Sequence, residues 1–126
     1  RIMKATELII GNLFQDKYTK DVFKVLELTT NSIVFDYFTV KKWKAEPIPL
    51  TEEWLLKFGF KKAPLVDKYL KGYFTYDSKL KYFTYFTDIE DGGYENIIIQ
   101  KEKLKYVHQL QNLYFALTGE ELILKN

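Results

Sequence analysis

The sequence lacks cysteine altogether and has one arginine and one histidine in 126 residues. A chain without cysteine has no disulfide framework, no thiolate nucleophile and no zinc–sulfur site. Arg1 is the single arginine among nineteen cationic residues. Lysine cannot reproduce the planar fork with which arginine reads base edges and clamps phosphates. This composition, with a net charge of only +2, therefore argues against strong binding of free nucleic acid.

Side chains that commonly carry catalysis are also scarce. The chain has two serines, Ser32 and Ser78, and its only histidine is His108. His108 has two interpretations: a general base or pH switch, or a residue on the flank of a helix whose ring packs over a sheet. The second is favoured because no candidate nucleophile lies nearby in sequence. We therefore expect no enzymatic activity and no cofactor.

Long apolar runs are missing too, and this excludes further classes of protein. No stretch approaches the roughly 20 apolar residues of a membrane-spanning helix, and the first residues lack the apolar core of a signal peptide. With no cysteine to oxidise, a cytoplasmic location is the expectation. Hydrophobic residues make up 47% of the chain, and aromatic residues make up 17%. This composition and length predict a single domain, residues 1–126, with a substantial core.

The first third of the chain has the pattern of short β-strands. Val22–Leu28 alternates as a half-buried strand, turn-forming residues follow at 29–32, and 33–40 continues as its hairpin partner. Upstream, an apolar run at 8–10 is followed by a Gly-Asn turn signal. These features predict a strongly bent antiparallel sheet, with an SH3-like barrel as one possible form.

The rest of the chain combines helices with further strands. Thr51 is a plausible N-cap, Glu52 and Glu53 suit the first turn of a helix, and Gly59 suits its end. A longer amphipathic helix is expected at 104–117, where apolar residues recur at three- and four-residue steps. Three more strands are predicted at 73–76, 80–89 and 94–100. The expected fold class is therefore α+β.

Acidic residues gather at the turn between the last two strands. Asp88, Glu90 and Asp91 flank a Gly-Gly pair that favours a tight hairpin. Their spacing is not that of an EF-hand, so no metal site is expected. The tip is either a solvated turn or an acidic projection that meets a basic partner.

Aromatic residues crowd the strands beside this turn. They serve either the core alone or the core together with an interface, because exposed aromatics concentrate binding energy. The candidate partner-binding set joins three of them to the acidic residues: Asp88, Glu90, Asp91, Tyr94, Tyr85 and Phe83.

A second candidate surface is basic. Lys41, Lys42, Trp43 and Lys44 place an aromatic ring within a run of lysines. Such a run stacks a base and neutralises phosphates in proteins that bind single-stranded nucleic acid. It also occurs on ordinary strand edges, which lysine protects from aggregation. A small nucleic-acid-binding accessory protein is thus the alternative function.

Two motifs resemble those of a known family. They are EPIPLTEEWLLKFGF at 46–60 and YVHQLQNLYFALTGEEL at 106–122. Both are similar to motifs of short proteins encoded by prophages and mobile elements of Bacteroidetes-type bacteria, and the resemblance extends over nearly the whole chain. The motifs look like scaffold, a capped helix and an amphipathic helix, so they transfer no functional residues.

The resemblance implies an inhibitor that acts by binding. A member of that family is an anti-CRISPR protein, which inhibits the RNA-targeting type VI-B effector nuclease. By this likeness the expected partner is a host CRISPR effector protein or its complex with guide RNA. The resemblance implies no catalytic residue.

Overall fold

The computed structural model describes residues 8–29, 32–36, 39–41, 46–88 and 94–125. The chain divides into two compact units. Unit 1 contains Arg1–Pro49 and Tyr106–Leu122, and unit 2 contains Leu50–Lys105 and Ile123–Asn126. This division does not test whether the chain is one domain, which stays a prediction.

Unit 1 is built on a five-stranded antiparallel sheet. Its strands are β1 (Leu13–Gln15), β2 (Val22–Leu28), β3 (Ser32–Phe35), β4 (Thr39–Lys41) and β5 (Glu46–Pro47). They lie in the order β4-β3-β2-β1-β5. The prediction of β2 is confirmed. The single strand predicted at 33–40 is wrong, because the chain bends at Asp36 and forms β3 and β4 as separate strands.

A β-bulge distorts the pairing of β2 with β3. Val25 pairs with Phe35 and Glu27 with Val34, so the strand carries one extra residue between these pairs. An extra residue of this kind bends a strand and increases its twist. One of the two sheets of the protein is strongly bent into a half-barrel, which confirms the α+β fold with a bent antiparallel sheet. A closed SH3-like barrel stays a prediction.

Aromatic and branched side chains fill the core of unit 1. Its buried cluster comprises Leu8, Phe14, Val25, Ile33 and Phe35. The rings of Phe14 and Phe35 meet edge to face with centroids 5.9 Å apart. Because β1 and β3 each place one of these rings inside, the two strands share a single apolar layer.

Helix α2 (Val107–Thr118) completes unit 1. Gly119 ends it in the left-handed conformation at φ 74°, as the sequence predicts. The helix starts three residues later than predicted, because Tyr106 is its N-cap and has an extended backbone. A short 3-10 helix (Lys101–Lys103) precedes it. Apolar residues line its buried side, together with His108 and Gln111.

Unit 2 contains the second antiparallel sheet, in the order β10-β9-β8-β7-β6. Its strands are β6 (Lys61–Lys62), β7 (Lys68–Lys71), β8 (Phe74–Asp77), β9 (Tyr82–Asp88) and β10 (Tyr94–Gln100). The three predicted strands here are confirmed, with shifted ends for β8 and β9. The sequence did not predict β6 and β7. Residues 122–124 lie outside any strand, although they are apolar.

Helix α1 (Glu52–Lys57) precedes this sheet and begins as the sequence predicts. The Oγ1 atom of Thr51 accepts a hydrogen bond from the backbone N–H of Trp54 at 3.4 Å. Gly59 follows the helix at φ 90°, a conformation that glycine adopts without strain. The helix has six residues, somewhat less than two turns.

Candidate interaction surface

The sheet of unit 2 has one buried face and one exposed face. Pairing registers place Tyr76 opposite Phe83 and Phe74 opposite Tyr85, so these four rings share a face. Phe74, Tyr76 and Phe83 are buried. Ring centroids lie 4.5 Å apart for Tyr76 and Phe83, and 4.7 Å apart for Phe74 and Tyr85. This aromatic layer is core.

The opposite face holds a shallow depression of about 230 Å³. We call it the open face, and its lining residues are Lys68, Leu70, Thr75, Asp77, Tyr82, Thr84, Phe86 and Asn96. They alternate in sequence with the buried rings, because successive side chains of a strand point to opposite faces. Ile98 belongs to the same face, since it pairs with Thr84.

Three large apolar side chains of the open face are accessible to solvent. Leu70 is 39% exposed, Phe86 41% and Ile98 63%. Single exposed apolar residues are normal, but these three share one face of the sheet, with Phe86 and Ile98 on the adjacent strands β9 and β10 and Leu70 beyond β8 on β7. Polar groups at Lys68, Asp77 and elsewhere border them. An apolar centre with a polar border is the usual composition of a surface that binds another macromolecule.

The loop between β6 and β7 adds an apolar projection. Leu65 is fully exposed and adopts φ 68°, in the left-handed region that branched and bulky side chains avoid. The Nζ atom of Lys62 donates hydrogen bonds to the carbonyl groups of Ala63 and Val66, which hold the loop. A strained and exposed leucine contributes nothing to the core, and such outliers concentrate at binding sites.

A second depression, of about 260 Å³, lies within unit 2 beside α1. Glu52, Tyr76 and Lys81 line it. The pKa of the nearby Tyr69 phenol is raised, first by burial and then by the negative charge of Glu52, with which it also hydrogen-bonds. Burial raises the pKa of Tyr76 as well, and Glu52 adds to the effect. Both phenols are therefore kept neutral as hydrogen-bond donors.

The predicted partner-binding residues do not form one exposed group. Some of them lie on the buried side of β9, and others lie at or beyond the limits of the described residues. Phe83 is fully buried, so its predicted role as a contact residue is corrected. Tyr85 is partly buried against Phe74 on the same face. The two aromatic contact residues predicted on β9 therefore lie on its buried face. Alternation alone does not reveal which face another element covers.

The predicted acidic tip lies mostly outside the described residues. Asp88 and Tyr94 end β9 and begin β10, where their backbones pair with each other. Glu90 and Asp91 fall between the described segments. Contact by these four residues stays a prediction.

The basic run is likewise largely beyond the described part of the chain. Lys41 is the last residue of β4, and its backbone pairs with Ser32. Lys42, Trp43 and Lys44 lie outside the described residues. The nucleic-acid-binding alternative therefore stays a prediction.

His108 is part of the core of unit 1. It is buried, and its ring lies between Phe14 and Tyr106, with centroid distances of 5.0 and 5.9 Å. Both pairs are stacked, with interplanar angles of 25° and 11°. The interpretation of His108 as a ring packed over the sheet is confirmed.

Comparison with protein-family models, with curated proteins and with solved structures finds no match to this chain. In the described part, neither helix combines the length and the apolar character that crossing a membrane demands. The family resemblance of the two motifs therefore stays a prediction.

Proposed function

We propose that this protein is a non-enzymatic binding protein that inactivates a macromolecular partner by occupying its surface. The open face of the second sheet carries the proposal. The opposite face already buries Phe74, Tyr76 and Phe83, so the exposed Leu70 and Phe86 are not needed to form that aromatic core. Apolar side chains gathered on one exposed face oppose solubility, and a binding surface is a common reason for such a group.

The proposed partner is an RNA-guided effector nuclease of type VI-B, alone or with its guide RNA. The resemblance of the motifs at 46–60 and 106–122 supports this choice. A nuclease that holds RNA needs a basic channel, and the acidic residues Asp88, Glu90 and Asp91 at the β9–β10 turn are complementary to it by sequence. The protein would block the channel or hold an unproductive conformation of the nuclease.

The test replaces the apolar centre of the open face. The double variant Leu70→Thr/Phe86→Thr keeps residues that suit strands and removes the large apolar surface. We expect the affinity for the nuclease complex, and the inhibition of RNA cleavage, to fall about tenfold or more, since buried aromatic anchors dominate interfaces. Titration calorimetry and a cleavage assay measure the two effects.

The matched control is Ile123→Thr, which removes an apolar side chain that is 66% exposed and lies outside the sheet. It should bind and inhibit like the parent. If the double variant also inhibits like the parent while folded, the open face is not the contact surface. If the parent neither binds nor inhibits the nuclease, the proposed target is wrong.

A further inference from the structure

The two edge strands of the second sheet differ in length and in how well they are protected against pairing with another strand. The β6 edge has two residues, Lys61 and Lys62. The β10 edge has seven, and all seven pair with β9 without a register shift. Lysines, prolines, bulges and short length are the devices that protect an edge from pairing. The described β10 strand, Tyr94–Gln100, contains none of the four, and its single charged residue, Glu95, lies outside the segment 96–100.

The hydrogen bonds of β9 show which backbone groups of β10 face outward. The N–H of Phe86 donates to the carbonyl of Tyr73, so Phe86 directs its backbone groups away from β10. Backbone groups alternate in direction along a strand, and therefore Tyr85 and Phe83 direct theirs to β10. Their partners are Ile97 and Ile99. It follows that Asn96, Ile98 and Gln100 present their backbone N–H and C=O groups at the edge.

The sequence of this edge is self-complementary. Asn96-Ile97-Ile98-Ile99-Gln100 reads as an amide, three isoleucines and an amide in either direction. In an antiparallel pair of two such strands centred on Ile98, Asn96 lies opposite Gln100 and Ile98 opposite Ile98. The residues whose backbone groups face outward are then the ones that pair with each other, as an antiparallel ladder requires.

We propose that β10 pairs with β10 of a second copy of this chain, in an antiparallel register centred on Ile98. The two five-stranded sheets then join into one of ten strands, related by a two-fold axis. Ile98, now 63% exposed, meets its symmetry mate, and the two amide pairs lie on either side of it. The interface is small, so the dimer is weak and forms with rising concentration.

The test uses charge at the amide positions, both of which are exposed. Asn96→Lys/Gln100→Lys and Asn96→Glu/Gln100→Glu each place like charges opposite one another, and each should weaken the dimer about tenfold or more. Asn96→Lys/Gln100→Glu places opposite charges there and leaves the net charge of the chain at +2. It should dimerise at least as well as the parent. Sedimentation velocity over a wide concentration range measures the dimer.

The comparison separates local pairing from overall charge, because the two like-charged variants change the net charge in opposite directions. Residue-resolved hydrogen exchange tests the register. Amides of 96, 98 and 100 should become protected as concentration rises, while those of Ile97 and Ile99 are protected throughout. Each variant is checked for an unchanged thermal melt.

Any one of three results would overturn the proposal. The first is a parent protein that is a monomer at every concentration, the second is equal dimerisation of the like-charged and opposite-charged variants, and the third is a set of protected amides that does not alternate along the strand. A parent that stays monomeric leaves the edge available to a strand of a different protein. The proposal does not depend on the inhibitory function, since the open-face variant Leu70→Thr/Phe86→Thr leaves Asn96, Ile98 and Gln100 in place.

Discussion

Two buried phenols show how one residue's environment sets its chemistry. Tyr69 and Tyr76 face each other across β7 and β8, with ring centroids 6.4 Å apart. Burial is the largest cause of their raised pKa values, and the charge of Glu52 is the next. Both causes act against the phenolate, because a buried anion loses hydration and meets a like charge. The pair therefore stabilises the fold only while it is neutral.

This predicts a loss of stability in alkali. The folded pKa of Tyr69 lies above its ordinary value of 10.0. Its contribution is therefore complete below about pH 10 and is lost as the pH rises through the folded pKa. In Tyr69→Phe the free energy of unfolding should decline less steeply above pH 10 than in the parent. Urea unfolding at a series of alkaline pH values measures the slope.

The ultraviolet absorbance of the phenolate form measures the pKa values of the tyrosines independently of stability. Tyr69 and Tyr76 should titrate above the ordinary phenol pKa of 10.0 in the folded protein and near it after unfolding. Tyr18→Phe, at an exposed position, is the matched control and should leave the slope unchanged. Equal slopes for parent and Tyr69→Phe would contradict the prediction.

At the scale of elements, the side-chain amide of Gln111 connects α2 to the start of β1. The Oε1 atom of Gln111 accepts from the N–H of Leu13 at 2.9 Å, and its Nε2 donates to the carbonyl of Gly11 at 3.1 Å. Beside it, the Nδ2 of Asn12 donates to Oδ1 of Asn112 at 2.8 Å. Gln111 and Asn12 are buried, so these bonds replace hydration that the groups have lost.

We expect Gln111→Ala to lower the free energy of unfolding by about 1–3 kcal/mol, because it leaves the buried N–H of Leu13 without its acceptor. Asn112→Ala is the comparison, because the bond between Asn12 and Asn112 is only partly buried and water can replace the lost acceptor, so its effect should be smaller. Urea denaturation followed by circular dichroism measures both. Equal stability of Gln111→Ala and the parent would show that the amide does not hold the helix.

Elements with local start and end signals were predictable from the sequence. Helix α1 has its cap at Thr51 and its end at Gly59, and β2 lies between turn residues. In contrast, β6 and β7 show no alternation of apolar and polar residues that would identify them as strands. Lys61 and Lys62 form a strand only because Leu70 and Tyr69 pair with them. Pairing between separated residues is a tertiary effect that local patterns do not contain.

The division of residues 33–40 into β3 and β4 also depends on a tertiary contact. The Oδ1 atom of Asp36 accepts from the N–H of Lys24 at 3.3 Å, and its own N–H donates to the Lys24 carbonyl at 3.2 Å. This contact with β2 favours a bend where the sequence pattern indicates a continuous strand. The choice between the faces of β9 also depended on tertiary packing, because both faces carry aromatic residues.

At the scale of the whole molecule, charge distinguishes binding to a protein from binding to nucleic acid. Nineteen cations and seventeen anions leave a net charge of +2. Affinity for nucleic acid depends on the number of phosphates that are neutralised, and it falls with salt. Asp77 on the open face opposes phosphate as well. A surface of this kind suits a protein partner better than free RNA.

Reversing the charge of the acidic tip should have opposite effects on binding to the nuclease and on binding to RNA. Reversing Asp88, Glu90 and Asp91 to lysine changes each charge by two and raises the net charge from +2 to +8. If the acidic tip meets a basic channel, the variant should associate more slowly with the nuclease and inhibit it less, while it binds single-stranded RNA more tightly than the parent. Surface plasmon resonance gives the association rate, and fluorescence anisotropy at physiological salt gives the RNA affinity. Reversing Glu120 and Glu121 after α2 to lysine raises the net charge from +2 to +6. It is the control for added charge away from the tip, and it should leave the association rate nearly unchanged. Sub-micromolar binding of RNA by the parent would instead favour the accessory nucleic-acid-binding function, and equal association rates for parent and triple variant would show that the tip is a solvated turn.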